Sequence, residues 1–333
     1  QLFGLLLGLV IILQRVLSGD LAMSVVIVFM TTLVQFQRTI ANVAWQVSWF
    51  SSESVFLPIF QAFFAITPER DLGRSLPRGP LTIVLDDVWF RYPGTDQDII
   101  RGLNLTFQQG DHIALVGLNG AGKSTLLKLL MRMYEPTRGR ILVNGIDLRE
   151  IKPSVWRTAL AVLTQNIQSY DDTVENQIFY GDIDRSKSLS RLKMATHVSN
   201  FDEVLPDLPK KLQSHIGKQY AMEEDQPTEL SGGQNQMLAI ARTLYRDAKI
   251  YIFDEPTSAV DAEKEEHFFS SLPTALQSRA LIFVSHRFST LRRARRILVM
   301  DAGRIIEDGT HEELLAKEGR YAELFALQAR LYQ

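Results

Sequence analysis

The sequence predicts an α/β domain with a mainly parallel sheet, preceded by a strongly apolar helical segment. The first observation is a sharp change in composition near residue 68. The second is a glycine-rich loop that separates a short apolar strand, His112–Val116, from a helical pattern over Ser124–Tyr134. The third is a pair of buried-strand patterns, Ile250–Phe253 and Ala280–Val284. Strand, loop and helix in alternation are typical of a parallel sheet with helices on its faces.

Length and composition limit the class of protein. The 333 residues are enough for two domains. A net charge of −2 gives no sign of the basic surface that a nucleic-acid-binding domain favours, so no nucleic-acid partner is expected. The absence of cysteine excludes disulfides and cysteine-rich zinc sites. Because the sequence begins at Gln1 and enters an apolar run at once, we expect a fragment that starts inside a membrane domain.

Two apolar runs open the chain, Leu2–Leu13 and Leu21–Val34. Neither reaches the roughly 20 residues that span a bilayer, so buried core helices remain an alternative to membrane helices. The short polar break between the runs favours membrane insertion, as does the continuation of the second run into Gln35–Asn42. The aromatic stretch Ile40–Ile66 fits either a lipid-interface helix or a packing surface, and Pro58 is expected to kink or end a helix.

The rest of the chain divides into a linker and a soluble domain. Residues 68–80 are rich in proline, glycine and charge and are predicted to be the linker between residues 1–67 and 81–333. The soluble domain begins with a strand over Leu81–Phe90. Gln165–Ile240 is more polar and mostly helical in pattern. Near the end, Asp301-Ala302-Gly303 predicts a hairpin, and Thr310-His311-Glu312-Glu313 is a capping box that starts the last helices.

The glycine-rich loop is the strongest single motif. Gly117-Leu118-Asn119-Gly120-Ala121-Gly122-Lys123-Ser124 matches the pattern G-x-x-x-x-G-K-[ST]. Glycines let the backbone curl so that successive N–H groups point at phosphate oxygens, and the helix that follows adds its positive end. Lys123 supplies a point charge to the β- and γ-phosphates, and Ser124 can ligate Mg²⁺. A simple glycine-rich turn is the alternative, but the loop lies between a strand and a helix, as phosphate binding requires.

An acidic pair, Asp254-Glu255, ends the strand Ile250–Phe253. Taken alone it could be a surface pair at a strand end. With a phosphate loop upstream, we expect Asp254 to hold Mg²⁺ through water and Glu255 to polarise the attacking water.

The segment Leu230-Ser231-Gly232-Gly233-Gln234 precedes Asp254 by twenty residues. Together with the phosphate loop and the acidic pair, it resembles the nucleotide-binding domain of ATP-binding cassette (ABC) transporters. The resemblance covers nearly all of residues 81–333, while residues 1–67 look like the last two membrane helices of a fused exporter subunit. It implies a P-loop NTPase of ABC type, with a RecA-like core around a parallel sheet and a helical subdomain.

The resemblance also implies roles for single residues. Tyr92 would stack on adenine; the alternative is a tyrosine at a strand end, in the turn before Pro93, with no role in binding. Gln165 would sense Mg²⁺ and the attacking water, and His286 would contact the γ-phosphate. The catalytic residues expected in this way are Lys123, Gln165, Glu255 and His286. The residues expected to bind ATP are Tyr92, Gly117, Asn119, Gly120, Ala121, Gly122, Lys123, Ser124, Thr125, Ser231, Gly232, Gly233, Gln234 and Asp261, and those expected at Mg²⁺ are Ser124, Gln165 and Asp254.

In this family the signature segment of one subunit faces the phosphate loop of another. The resemblance therefore implies a head-to-tail dimer of identical or related chains around two ATP molecules, with Asp261 in the loop that crosses the interface. It implies a multi-pass protein of the cell membrane, whose nucleotide-binding domain lies in the cytoplasm and whose ATP hydrolysis drives export of an unidentified substrate. A soluble ABC ATPase acting on nucleic acid or ribosomes, and a protein that only binds ATP, are the alternatives.

Four features depart from the family pattern, one of them the loose match of Thr173-Val174-Glu175-Asn176-Gln177 after Gln165. Met237 stands where a basic residue is usual, and Asn235 where Arg, Lys or Gln is common. The stretch Gly217–Glu229 before the signature is longer and more acidic than the common form. We expect these differences to affect coupling to the membrane rather than ATP binding.

Overall fold

The computed structural model of the chain describes residues 2–20, 22–217, 228–285 and 291–331. Its contacts divide the chain into two compact units, residues 1–70 and residues 71–333. Each unit is described by itself.

The first unit is helical. Helix α1 is Leu2–Leu17, α2 is Met23–Ser54 and α3 is Leu57–Phe64. No residue of α2 or α3 is buried, and within the described residues Met23–Phe64 is the one helical segment that is long and apolar enough to cross a membrane. Helix α2 runs far past the predicted apolar run. The break between α2 and α3 lies just before Pro58, which occupies the first turn of α3, where its missing N–H leaves no hydrogen bond unmade.

The second unit is built around a six-stranded sheet with the order β12-β11-β3-β10-β9-β6. All neighbours pair in parallel except β11 and β12, which form the predicted hairpin. The parallel sheet and the hairpin are therefore confirmed. The six strands are β3 (His112–Val116), β6 (Leu160–Leu163), β9 (Ile250–Asp254), β10 (Ala280–Val284), β11 (Arg296–Asp301) and β12 (Arg304–Gly309).

Alternate residues of these strands belong to two separate hydrophobic cores. Phe253 and Phe283 pack into one core, whereas Ile252 and Ile282 pack into the other. This division follows from the two-residue period of a strand, and it requires strands that are apolar on both faces. The five parallel strands are therefore covered on both faces, and ligands can approach them at their ends.

A second sheet is antiparallel and has the order β2-β1-β4-β5. Its inner face packs into the same core as Ile252. The remaining two strands, β7 and β8, pair with each other in a short ladder. These strands are β1 (Thr82–Phe90), β2 (Ile100–Gln108), β4 (Arg138–Val143), β5 (Ile146–Asp147), β7 (Asp172–Thr173) and β8 (His215–Ile216).

Eight described helices complete the second unit. Helices α6 and α7, with several one-turn 3-10 segments, form a helical region that packs on α8. The predicted helix over Ser124–Tyr134 is shorter than expected, because α4 ends at Leu130 and Arg132 has φ of +53°. The helices are α4 (Lys123–Leu130), α5 (Pro153–Thr158), α6 (Val174–Phe179), α7 (Leu189–Val198), α8 (Gly232–Tyr245), α9 (Ala262–Ala275), α10 (His311–Ala316) and α11 (Arg320–Leu331).

Candidate nucleotide-binding site

The phosphate loop joins the buried strand β3 to helix α4. Gly117 must be glycine because a Cβ there would lie 2.3 Å from the carbonyl oxygen of Met300. Gly122 is the N-cap of α4 with φ of +104°, a left-handed conformation that costs other residues about 1 kcal/mol or more. No side chain caps the first turn of α4. Its N–H groups therefore remain available to an anion.

Lys123 lies within this loop and is only 7% exposed. Its Nζ donates hydrogen bonds to the carbonyl oxygens of Gly117, at 2.7 Å, and of Leu118, at 3.0 Å. Burial lowers the pKa of the Lys123 ammonium, while the carboxylates of Glu255 and Asp254 oppose that shift. The loop thus holds one partly desolvated positive charge close to two carboxylates. Such a charge interacts more strongly with a phosphate than one in bulk water would.

The sheet order brings several predicted residues to one edge. Strands β6, β9, β10 and β3 are parallel neighbours, so their carboxyl ends lie together. Gly117 follows β3, Asp254 ends β9 and Gln165 follows β6 with an exposed side chain. Ligands of open α/β sheets bind outside this edge. His286, predicted to follow β10 at the same edge, lies outside the described residues.

Glu255 has an unusual backbone. Its φ is +53°, in the left-handed region, which costs a non-glycine residue of order 1–3 kcal/mol. Its N–H donates to the carbonyl oxygen of Val284, at 3.1 Å. The neighbouring strand β10 therefore holds this peptide group in place. A strained residue persists where its surroundings determine it, and such residues cluster at functional sites.

Gln236 contacts this residue and was missed from the sequence. Its buried amide donates to the carbonyl oxygen of Glu255 and to Oγ of Ser258, both at 3.1 Å, and accepts from the N–H of Ala259 at 2.7 Å. The available signal was an amide side chain followed at once by the apolar run that starts at Met237.

Tyr92 packs beside the phosphate-loop helix. Its hydroxyl lies 3.1 Å from Oγ1 of Thr125, and Nζ of Lys128 donates to it at 3.3 Å. Its ring makes edge contacts with Phe90 and Tyr134, whose centroids lie 5.0 and 5.3 Å away. The ring is thus anchored next to α4. Stacking on adenine stays a prediction.

The signature segment forms the start of α8. Ser231 is its N-cap, and Ser231 and Gln234 form a capping box in which each side chain accepts a hydrogen bond from the backbone N–H of the other. A Cβ at Gly232 would meet no atom within 4 Å, whereas one at Gly233 would lie 2.8 Å from the carbonyl oxygen of Ala259. The helix therefore begins with an open glycine and a tightly packed one, and its positive end favours anions.

The two unusual residues of α8 have structural explanations. Met237 is 3% exposed and belongs to one of the two cores, so a charged side chain could not replace it without a burial cost. Nδ2 of Asn235 donates to the carbonyl oxygen of Leu230, at 3.1 Å. Most of the acidic stretch Gly217–Glu229 lies outside the described residues.

Asp261 caps helix α9. Its carboxylate accepts from the N–H of Lys264 at 3.0 Å, and this bond is the main cause of its lowered pKa. The side chain is exposed and pairs loosely with the Lys264 ammonium. This capping role was not predicted, although an aspartate directly before a helical run could have indicated it.

The three residues predicted at Mg²⁺ offer suitable atoms. Ser124 contributes a hydroxyl, Asp254 a carboxylate and Gln165 an amide oxygen, and Mg²⁺ prefers oxygen ligands. The described residues contain no group of three or more His, Cys, Asp or Glu side chains that could hold a metal. A magnesium ion here would therefore depend on phosphate and water for its remaining ligands, as is usual at phosphate sites.

Comparisons with known proteins bear on the family and the fold of the chain. The family model described as ABC transporter matches residues 100–258. Proteins named ATP-dependent lipid A-core flippase are similar to the chain: that of Methylobacillus flagellatus is 41% identical over 262 residues, which are 78% of this chain and 44% of the relative. That of Pseudomonas aeruginosa is 39% identical over 238 residues, 72% of this chain and 38% of the relative.

A solved structure is similar as well. It is described as a bacterial Atm1-family ABC exporter with ATP bound, and it matches with a TM-score of 0.74 and 31% identity over 91% of this chain and 52% of that one. The chain thus spans less than half the length of the curated relatives and about half of this structure. The fold class predicted by resemblance is confirmed, with a nucleotide-binding domain of ABC type after apolar helices. Residues 100–258 of the chain belong to the ABC transporter family, whose model they match.

Proposed function

We propose that this chain is an ATP-binding and ATP-hydrolysing subunit of an ABC exporter. The observation that carries the proposal is the Lys123 ammonium, buried in a glycine loop and close to the carboxylates of Asp254 and Glu255. Nucleotide binding exchanges the loop carbonyls around Lys123 for phosphate oxygens. Lys123 and the N-terminus of α4 then stabilise negative charge on the phosphates, which is the main task in phosphoryl transfer.

The remaining residues would orient water and close the site. Glu255 accepts a proton from the attacking water or polarises it, and Gln165 and His286 complete the surroundings of the γ-phosphate. Ser124, Asp254 and Gln165 would hold Mg²⁺, which supplies charge neutralisation at the β- and γ-phosphates when bound. Tyr92 would support the adenine ring with its anchored side chain.

The dimer is part of the proposal. Gly232 opens onto free space at the start of α8, and Ser231, Gly232 and Asp261 are exposed. A glycine-rich helix start that is open at Gly232 suits the approach of a phosphate carried by a second chain. Two chains, identical or related, would therefore exchange signature segments across two ATP molecules. Closure on ATP would bias the membrane helices toward one orientation, because ATP binds the closed state more tightly.

Membrane export rests on the first unit and the comparisons. Met23–Phe64 has the length and apolarity to cross a membrane. The relatives named above are flippases by name and the similar structure is an exporter, so we place this chain in a multi-pass protein of the cell membrane with its nucleotide-binding domain in the cytoplasm. Residues 1–67 would belong to the membrane domain, 68–80 to the linker and 81–333 to the nucleotide-binding domain. The names of the relatives favour a lipid-linked substrate.

A soluble ABC ATPase acting on nucleic acid or ribosomes would use the same catalytic residues. The exposed apolar surface of α2 and α3 favours the exporter instead. Fractionation separates the two: we expect the chain in the membrane fraction, with release only by detergent. Full recovery in the soluble fraction without detergent would contradict the exporter.

Glu255→Gln tests the enzymatic part. We expect steady-state phosphate release to fall about 100-fold or more, because the base is lost, while ATP-induced dimerisation in detergent is retained. Glu263→Gln, an exposed acid in the first turn of α9, is the matched control and should hydrolyse ATP at the wild-type rate. Undiminished turnover in the Glu255→Gln chain would remove Glu255 from this role.

A further inference from the structure

A buried amide in α8 links the signature helix to the loop that carries Glu255. Gln236 is 2% exposed and lies one turn into α8, next to apolar residues that fill one of the cores. Burying an amide is unfavourable unless its hydrogen bonds are made. The position of those bonds therefore indicates what the side chain does.

All three bonds of Gln236 go to one short segment, residues 255–259. Nε2 donates to the carbonyl oxygen of Glu255 and to Oγ of Ser258, and Oε1 accepts from the N–H of Ala259. The amide thus acts as both donor and acceptor within a single turn. A side chain that only filled space in the helix would not need this pairing.

The bonds fix the backbone of Glu255 from a second side. Its N–H is already held by the carbonyl oxygen of Val284, and its own carbonyl accepts from Gln236 and, at 3.4 Å, from the N–H of Ser258. With both peptide groups held, the left-handed φ of +53° is determined by its surroundings. The direction in which the Glu255 side chain leaves the backbone follows from that conformation.

A second contact joins the same two elements. The backbone of Gly233 approaches the carbonyl oxygen of Ala259 so closely that a Cβ would lie 2.8 Å away. The first turns of α8 and residues 255–259 therefore form one packed unit.

We propose that Gln236 is a positioning residue for the reaction: it holds Glu255 of its own chain in the orientation that activates water, and ties that orientation to the signature helix. The inference rests on the proposed ATPase function. It adds that the signature, which serves the partner's ATP, and the Glu255 of the same chain move as one body.

The test compares Gln236→Met with Gln177→Met in the detergent-solubilised chain. Methionine has nearly the volume of glutamine but makes no amide hydrogen bonds. Gln177 is the matched control, since it is 1% exposed in α6 and bonds to backbone atoms of residues 170 and 172. Both variants lose a buried amide, and thermal unfolding measures the loss of stability that this causes in each.

We expect Gln236→Met to lower kcat for ATP about tenfold or more, because the base is misplaced, while the Kd for a fluorescent ATP analogue stays within about twofold. Gln177→Met should leave both constants within about twofold of wild type. A merely structural role would lower both variants' stability alike and leave kcat unchanged, and that result would overturn the proposal. If the wild-type chain itself did not hydrolyse ATP, the proposed function would fail instead.

Ser258→Ala covers the case in which Gln236→Met does not fold. Ser258 is exposed, so its hydroxyl can be removed without opening the core, and one of the three bonds is lost. We expect a smaller fall in kcat, about twofold to fivefold, with unchanged analogue binding. An unchanged kcat in a folded Ser258→Ala chain, without a folded Gln236→Met chain, would count against the proposal.

Mixed dimers distinguish an effect of Gln236 on Glu255 of its own chain from an effect on the signature of its own chain. One chain carries Glu255→Gln, so that only its partner's Glu255 can act. Gln236→Met placed in the chain with the intact Glu255 should slow hydrolysis more than the same change in the Glu255→Gln chain. The opposite order would assign Gln236 to the signature alone and overturn its role toward Glu255.

Discussion

Gly73 allows the chain between the two predicted domains to dock on the nucleotide-binding domain. The carboxylate of Asp71 accepts from the N–H and Oγ of Ser154, at 2.9 and 2.7 Å. The N–H of Arg74 donates to the carbonyl oxygen of Glu150 at 2.7 Å, and the N–H of Lys152 donates to the carbonyl oxygen of Arg74 at 3.0 Å. The predicted linker is therefore attached to the domain over its first residues.

Gly73→Ala should undo this attachment. Gly73 has φ of +137°, and a Cβ there would lie 2.4 Å from the carbonyl oxygen of Glu150 and 3.0 Å from two further backbone atoms. Backbone atoms in a packed turn cannot move aside cheaply, so the segment must separate. The two backbone hydrogen bonds then lost are together worth about 2 kcal/mol.

Hydrogen exchange measures this loss directly. The amides of Arg74 and Lys152 should lose protection by about 30-fold, the factor that corresponds to 2 kcal/mol. Gly79→Ala is the matched control, because Gly79 also has positive φ, +90°, but a Cβ there meets nothing within 4 Å. Equal protection of these amides in Gly73→Ala and Gly79→Ala chains would refute the argument from close approach.

Two further predictions concern the site and its support. Tyr92→Ala should raise the Kd for an ATP analogue about tenfold, because stacking is lost. Tyr92→Phe keeps the ring and should raise the Kd less. An unchanged Kd for the alanine variant in a binding titration would exclude stacking. Burial is the main cause that lowers the pKa of His112 below its ordinary 6.5, so the unfolded chain takes up the proton first as pH falls. The free energy of unfolding should therefore decrease as pH drops below about 6.5, and this decrease should be smaller in a His112→Gln chain. Identical pH dependence of the two chains in denaturant titrations would contradict this.

Local patterns in the sequence predicted the parts of the fold that local physics determines. The phosphate loop, the turn at Asp301–Gly303 and the capping box at Thr310 each depend on residues only a few positions apart, and the structure has the turn and the capping box as predicted. The end of α4 was placed too late, because the left-handed turn at Arg132 carries no glycine to indicate it.

Contacts between distant segments were not predictable in this way. The bonds of Gln236 cross 19 to 23 positions, and those of Asp71 cross 83. Nothing in the composition of residues 68–80 distinguishes a free linker from a docked one. The resemblance to ABC transporters supplied the roles of Gln165 and Asp261, and both remain predictions as ligand contacts.

The central claim is that each ATP site takes its phosphate loop from one chain and its signature from another. Mixing two inactive chains tests it. Lys123→Ala removes the phosphate-loop charge, and Gly232→Arg places a large side chain at the open start of α8, where a Cβ meets no atom of its own chain within 4 Å. Only a mixed dimer with shared sites regains one intact site, so random pairing should restore phosphate release to about a quarter of the wild-type rate. A mixture no more active than either variant alone would contradict the claim.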